Sequence, residues 1–134
     1  MGNAHYVRFK GRGKAPSKFI PEFISDVEKV IDKYKDILQV YEVSDECVNF
    51  GGLEEETAEE LLFIAEERDA MCKTFDLPYA HPLKMVLILF CKHYPKRGEV
   101  STEDNSGWEK ASKEVEEMFA YDVSDILKKI LEEI

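Results

Sequence analysis

The sequence predicts an α+β domain: a small antiparallel sheet of three or four strands packed with helices, with one or two further helices at the C-terminal end. Three observations carry this. Tyr6 to Lys10 alternates apolar and polar residues in period two. Phe23, Ile24, Val27, Val30, Ile31, Tyr34 and Leu38 recur at three- and four-residue steps. Trp108, Ala111, Val115, Met118 and Phe119 repeat that helical spacing near the end of the chain.

The alternation in the first segment places Val7 and Phe9 on one face of a strand and Tyr6, Arg8 and Lys10 on the other. Gly11, Gly13 and Pro16 break the chain, and Pro21 suits the first turn of the helix that follows, where a missing N–H costs little. Ile37 to Phe50 is rich in β-branched and aromatic residues interrupted by Ser44-Asp45-Glu46, which reads as two strands joined by a turn. Gly51-Gly52 closes the second strand. From Glu54 to Phe75, Ala58, Leu61, Leu62, Ala65 and Cys72 fall on one helical face, and Glu54-Glu55-Glu56 suits the positive end of a helix dipole. Leu77-Pro78 and His81-Pro82 are two breaks before the apolar run Met85 to Cys91. Its length favours a buried strand, and the competing reading is a helix from Pro82 to His93. With the strand, the first six elements take the order of a ferredoxin-like split βαβ unit.

Ser106-Gly107-Trp108-Glu109 has the form of a capping box, so a helix should start there. The pattern continues through Val123, Ile126, Leu127, Ile130, Leu131 and Ile134, as one helix or as two broken near Tyr121-Asp122. That last stripe reads as core, with a homodimer built on it as the alternative. A chain of 134 residues without repeats or linkers is expected to form a single domain, with a basic start over residues 1–18 and an acidic body over 19–134.

The longest uncharged apolar run is about a third of the ~20 residues a membrane-spanning helix needs, and no apolar stretch follows the basic start. Neither a membrane span nor a signal peptide is expected. Three cysteines are an odd number in a chain that needs no staples, which points to a reducing, cytoplasmic setting. The net charge is −10, yet residues 1–18 hold Arg8, Lys10, Arg12, Lys14 and Lys18 and no acid, leaving 13 bases against 28 acids in the rest. Such a field repels nucleic acid and anionic membrane from most of the surface and attracts basic partners.

No P-loop, dinucleotide-binding glycine fingerprint, nucleophile elbow, HExxH or calcium loop occurs, and no cofactor is expected. Three constellations remain. Tyr6, Arg8 and Lys10 on one strand face, with Arg12 and Lys14 trailing, combine an aromatic platform with bases, as in single-stranded nucleic-acid binding; the bland reading is a solubilising edge strand. Glu55, Glu56, Glu59, Glu60, Glu66 and Glu67 on the expected acidic helix could face a protein partner or imitate a phosphate backbone, against the commoner role of a solvated face. Cys72, His81, Cys91 and His93 are four soft or borderline ligands within 22 residues, although their spacing is poor for zinc, and Cys91 with His93 would share a strand face as a thiol pair. Free cysteines are more often small buried hydrophobes. The function these residues favour is a small non-enzymatic binding or regulatory protein acting on another protein, with partly exposed Trp108 and Tyr121 among its contacts. A nucleic-acid module and a zinc or thiol enzyme are the alternatives.

Overall fold

Strand β1, Ala4–Phe9, buries Val7 and Phe9 and exposes Tyr6 and Arg8, as its alternation predicts. In this computed structural model, which describes residues 4–56 and 58–132, β1 is the centre of a three-stranded antiparallel sheet. Its neighbours are β5, Asp69–Lys73, and β6, Gly98–Thr102, in the order β5-β1-β6. Register sets Tyr6 opposite Met71 and Ser101, and Arg8 opposite Asp69 and Glu99.

Helix α1, Pro21–Lys33, begins at the expected proline and buries Phe23, Val27 and Val30. The turn at Ser44-Asp45-Glu46 joins β2, Leu38–Val43, to β3, Cys47–Gly52. A fourth strand, β4 over Leu61–Ile64, completes a second antiparallel sheet in the order β2-β3-β4. Helices α2, Ala80–His93, α3, Trp108–Phe119, and α4, Ser124–Glu132, follow. The core is dense in rings: Phe9, Phe19, Phe23, Phe63 and Phe90 are at most 2% exposed, and Phe9 meets Phe90 edge-on at 4.9 Å between centroids.

The α+β class is as predicted, and of the one or two C-terminal helices expected there are two, with the break between α3 and α4 over residues 120–123. Four local expectations are corrected. Glu54–Phe75 is not a helix. Leu61, Phe63 and Ala65 are buried while Leu62 is 46% exposed, a period-two pattern that the three-and-four spacing hid, and pairing with β3 decides the matter. Met85–Cys91 belongs to a helix and not to a strand. The run is apolar all round because α2 is covered all round, with every residue from Pro82 to Phe90 buried. Pro82 is accommodated in the first turn of that helix, so His81-Pro82 does not break the chain. With two strands in place of a helix and a helix in place of a strand, the order is not that of a ferredoxin-like unit, and β1 and β3 lie in different sheets.

The capping box fails as well. Ser106 Oγ donates to Asp104 Oδ1 at 2.8 Å, and the residue before α3 is Gly107, in the left-handed region with φ 81°. Lys84 explains the glycine: a Cβ at Gly107 would lie 2.8 Å from the Lys84 ammonium, which is buried and donates to the Ser106 carbonyl oxygen at 2.8 Å. Trp108, expected to be partly exposed, is completely buried, and its indole N–H donates to the Asp104 carbonyl. Val123 and Ile130 are core residues, as expected of the last stripe, while Ile134 lies outside the described residues.

Candidate functional site

The segment after β1 is a loop held from behind by two arginines. Arg97 donates from Nε to the Lys10 carbonyl at 3.0 Å, from Nη2 to Gly13 at 3.0 Å and from Nη1 to Lys14 at 2.8 Å. Arg68 donates from Nη1 to the Gly13 carbonyl at 2.7 Å and from Nη2 to that of Gly11. The Arg97 guanidinium also lies 5.8 Å above the Phe9 ring, so the clamp is seated on the core. Gly11 has φ 97°, a conformation that costs a side chain strain and glycine little. With its carbonyl oxygens drawn inward, the loop leaves Arg12 and Lys14 exposed.

The electrostatic consequence follows from the acceptors. A guanidinium bonded to carbonyl oxygens keeps its full charge, whereas one bonded to a carboxylate is neutralised. Among the described residues, none of Lys10, Arg12, Lys14, Arg68 and Arg97 forms an ion pair. Five cations therefore share one small, braced region of an otherwise acidic protein.

The strand face separates from this loop. Arg8 pairs with Glu99 and has Asp69 across the other ladder, so its charge is cancelled locally. Tyr6 is 41% exposed, beside Met71, and lines a shallow depression of about 490 Å³ with Arg8, Asp69 and Glu99. Of the five residues expected to bind nucleic acid, Lys10, Arg12 and Lys14 come together with Arg68 and Arg97, and Tyr6 and Arg8 stand apart.

The acidic residues do not form one helix face. Glu54–Glu56 is a single turn, and the Glu56 side chain lies outside the described residues. Glu59 and Glu60 lie before β4, where Glu59 Oε1 accepts from the Lys73 N–H at 2.9 Å, and Glu66 and Glu67 lie in the turn after it. A helical decoy of a phosphate backbone has no counterpart here.

The cysteines and histidines are dispersed into separate internal contacts. Cys72 donates to the Glu59 carbonyl at 3.2 Å, and burial, aided by the Glu59 charge, pushes its thiol up to about 12. His81 Nε2 is 2.7 Å from Glu114 Oε1, and His93 Nε2 is 2.7 Å from Asp26 Oδ2. Burial holds the Cys91 thiol at about 12, and because Cys91 and His93 stand on a helix, two residues apart, they face different sides. No group of three or more histidine, cysteine or acidic side chains among the described residues is arranged to hold a metal ion.

The spacing did not reveal the connecting residues. Glu114 accepts from Lys33 Nζ at 2.6 Å and from the Tyr34 hydroxyl at 2.5 Å as well as from His81, tying α1, α2 and α3 together. Burial alone would raise the Glu114 carboxyl, but the hydrogen bonds from Lys33, Tyr34 and His81 outweigh it and hold the group down to about 2. Asp26 likewise accepts from His93 and from the Tyr121 hydroxyl at 2.7 Å. Both clusters are fully used in joining helices. The chain matches no family model, no curated protein and no solved structure. The geometry itself therefore carries the functional argument.

Proposed function

We propose that this is a binding protein that contacts the phosphate backbone of a nucleic acid through the loop Lys10–Lys14. The observation that supports this reading is the double arginine clamp, which fixes the loop backbone without neutralising any of its cations. A braced loop backbone loses little conformational freedom on binding, and phosphate contacts release counterions whatever the base sequence. An enzymatic reading has less support, since the cysteine thiols are pushed up and the His81 and His93 rings are engaged with carboxylates. A gel-shift titration with a single-stranded oligonucleotide tests the proposal. The wild type should shift the oligonucleotide and the Arg12→Ser/Lys14→Ser variant should not; equal shifts, or none from either, would remove it.

A second reading, interaction with another protein, is favoured by the sheet β2-β3-β4. Its two edge strands expose Tyr41, at 59%, on β2 and Leu62 on β4, with Glu42, Glu59 and Glu60 nearby along the chain. Exposed apolar side chains with acidic neighbours in the chain suit a partner that is basic and apolar in turn. Capture of such a partner should fall with Tyr41→Lys/Leu62→Lys and be indifferent to Arg12→Ser/Lys14→Ser, and the opposite pattern would discard this surface.

A further inference from the structure

Helix α4 is docked shallowly. Of Ser124–Glu132 only Ile130 is buried, and Ile126, Leu127 and Leu131 pack against the core partly exposed. A helix with so strong an apolar stripe normally sinks it, and the incomplete docking leaves a cleft of about 700 Å³ between α4, the end of α2 and β6. Ligand sites of small molecules commonly have volumes of roughly 300–1,000 Å³, a range that includes this one.

The lining divides into an apolar floor and a charged rim. Val100, Ile126 and Ile130 form the floor. Lys10, Lys92, Lys128 and Lys129 stand around it, and among the described residues none of the four forms an ion pair; Lys92 lies over the Tyr121 ring, at 5.4 Å, and its charge helps to hold the Asp122 carboxyl down. Of the acids in the lining, Glu99 is engaged by Arg8, whereas Asp122 accepts only from the neutral Ser124 N–H at 3.1 Å and Ser124 Oγ at 2.7 Å and keeps its charge. Asp125 and Glu132 are the remaining acids, both on α4. Four unpaired lysines thus stand against three unpaired acids, Asp122, Asp125 and Glu132, and the lysines' methylene stems extend the apolar wall below their ammonium groups.

We propose that this cleft binds a small amphipathic anion, a molecule with a carboxylate or phosphate head and an apolar body. The head lies among Lys92, Lys128 and Lys129, and the body covers Val100, Ile126 and Ile130. The site does not depend on the loop reading above, although Lys10 stands between the two.

Anilinonaphthalene sulfonate has this chemistry and serves as the probe. Titrated into the folded protein, it should fluoresce at one saturable site and be displaced by dodecanoate. Dodecanol, which has the same body without the charge, should compete at least about tenfold less well, because the ammonium groups recognise the head. Lys128→Ser/Lys129→Ser should weaken the dye by about tenfold while leaving the thermal melt in place, as expected for exposed lysines. Arg12→Ser/Lys14→Ser should leave dye binding unchanged, so failure of the cleft and failure of the loop are told apart. Equal competition by dodecanol, or undiminished dye binding by the lysine variant, would overturn the proposal; Lys92→Ser repeats the test if the double variant does not fold.

Discussion

Lys10 and Arg97 bond each other twice: the Lys10 N–H donates to the Arg97 carbonyl at 2.7 Å, and Arg97 Nε donates to the Lys10 carbonyl at 3.0 Å. The first bond is backbone to backbone, continuing from the β1 and β6 pairing, and the second begins the clamp on the loop. Arg97→Lys keeps the charge but loses the planar fork that reaches three carbonyls. It should cost about 1–2 kcal/mol of stability, since several modest hydrogen bonds are lost together. Amide exchange at residues 11–14 should quicken. Urea unfolding and hydrogen exchange measure the two effects, and an unchanged exchange pattern would mean that the loop does not need its brace.

Glu114 gives the fold an acid-sensitive joint. Its native pKa of about 2 lies below the ordinary carboxylate value of 4.5, so the unfolded chain takes up the proton first as pH falls. The stability this group contributes is present in full above about pH 5 and lost progressively towards pH 2. Glu114→Gln should destabilise the protein at neutral pH by about 1–3 kcal/mol and flatten the dependence on pH in that window. Denaturant midpoints across the acid range provide the comparison.

His5 acts at milder acidity. Burial, with a smaller contribution from Lys84, lowers its pKa from 6.5 to about 4, and its two ring nitrogens meet Thr102 Oγ1 at 2.8 Å and Thr74 Oγ1 at 3.0 Å. Here too the unfolded state binds the proton first. Stability should fall as pH drops from about 6.5 to 4 and not change further on this account below that, a loss of up to about 3 kcal/mol. His5→Gln should remove this slope, and an imidazole resonance of His5 titrating near pH 6.5 in the folded protein would contradict it.

The thiols should be slow. Cys72 and Cys91 are held at about 12 and Cys47 is also raised by burial, so little thiolate exists near neutral pH. Alkylation by iodoacetamide at about pH 7.5 should be sluggish for all three in the native protein and rapid in denaturant. A single fast native cysteine would revive the thiol reading.

How far the sequence reached can be judged from particular residues. Val7, Phe9, Phe23 and Val30 carried clean periodicity because each sits on an element with one wet face, and those elements are where alternation and helical spacing placed them. Leu87 and Leu89 carried none, since α2 has no wet face, and Leu61 to Ala65 fitted two periods at once. The loop was visible as Lys10, Arg12 and Lys14, and its two braces were not. Arg68 and Arg97 lie 55 to 87 residues from the carbonyls they hold, and only the strand pairing of β1 with β5 and β6 brings them there. Arg68 is the one base between Glu54 and Asp69, a signal without a location.

The most direct test of the central claim is the salt dependence of single-stranded oligonucleotide binding, followed by fluorescence anisotropy between about 50 and 200 mM salt. Each phosphate contact to a single strand contributes about −0.7 to the slope of log K against log salt, so the three cations Lys10, Arg12 and Lys14 of the loop predict a slope near −2. Arg12→Ser/Lys14→Ser should bring it to about −0.7 with weaker binding throughout. A wild-type slope near zero, or one that the double variant leaves unchanged, would contradict a phosphate contact at this loop.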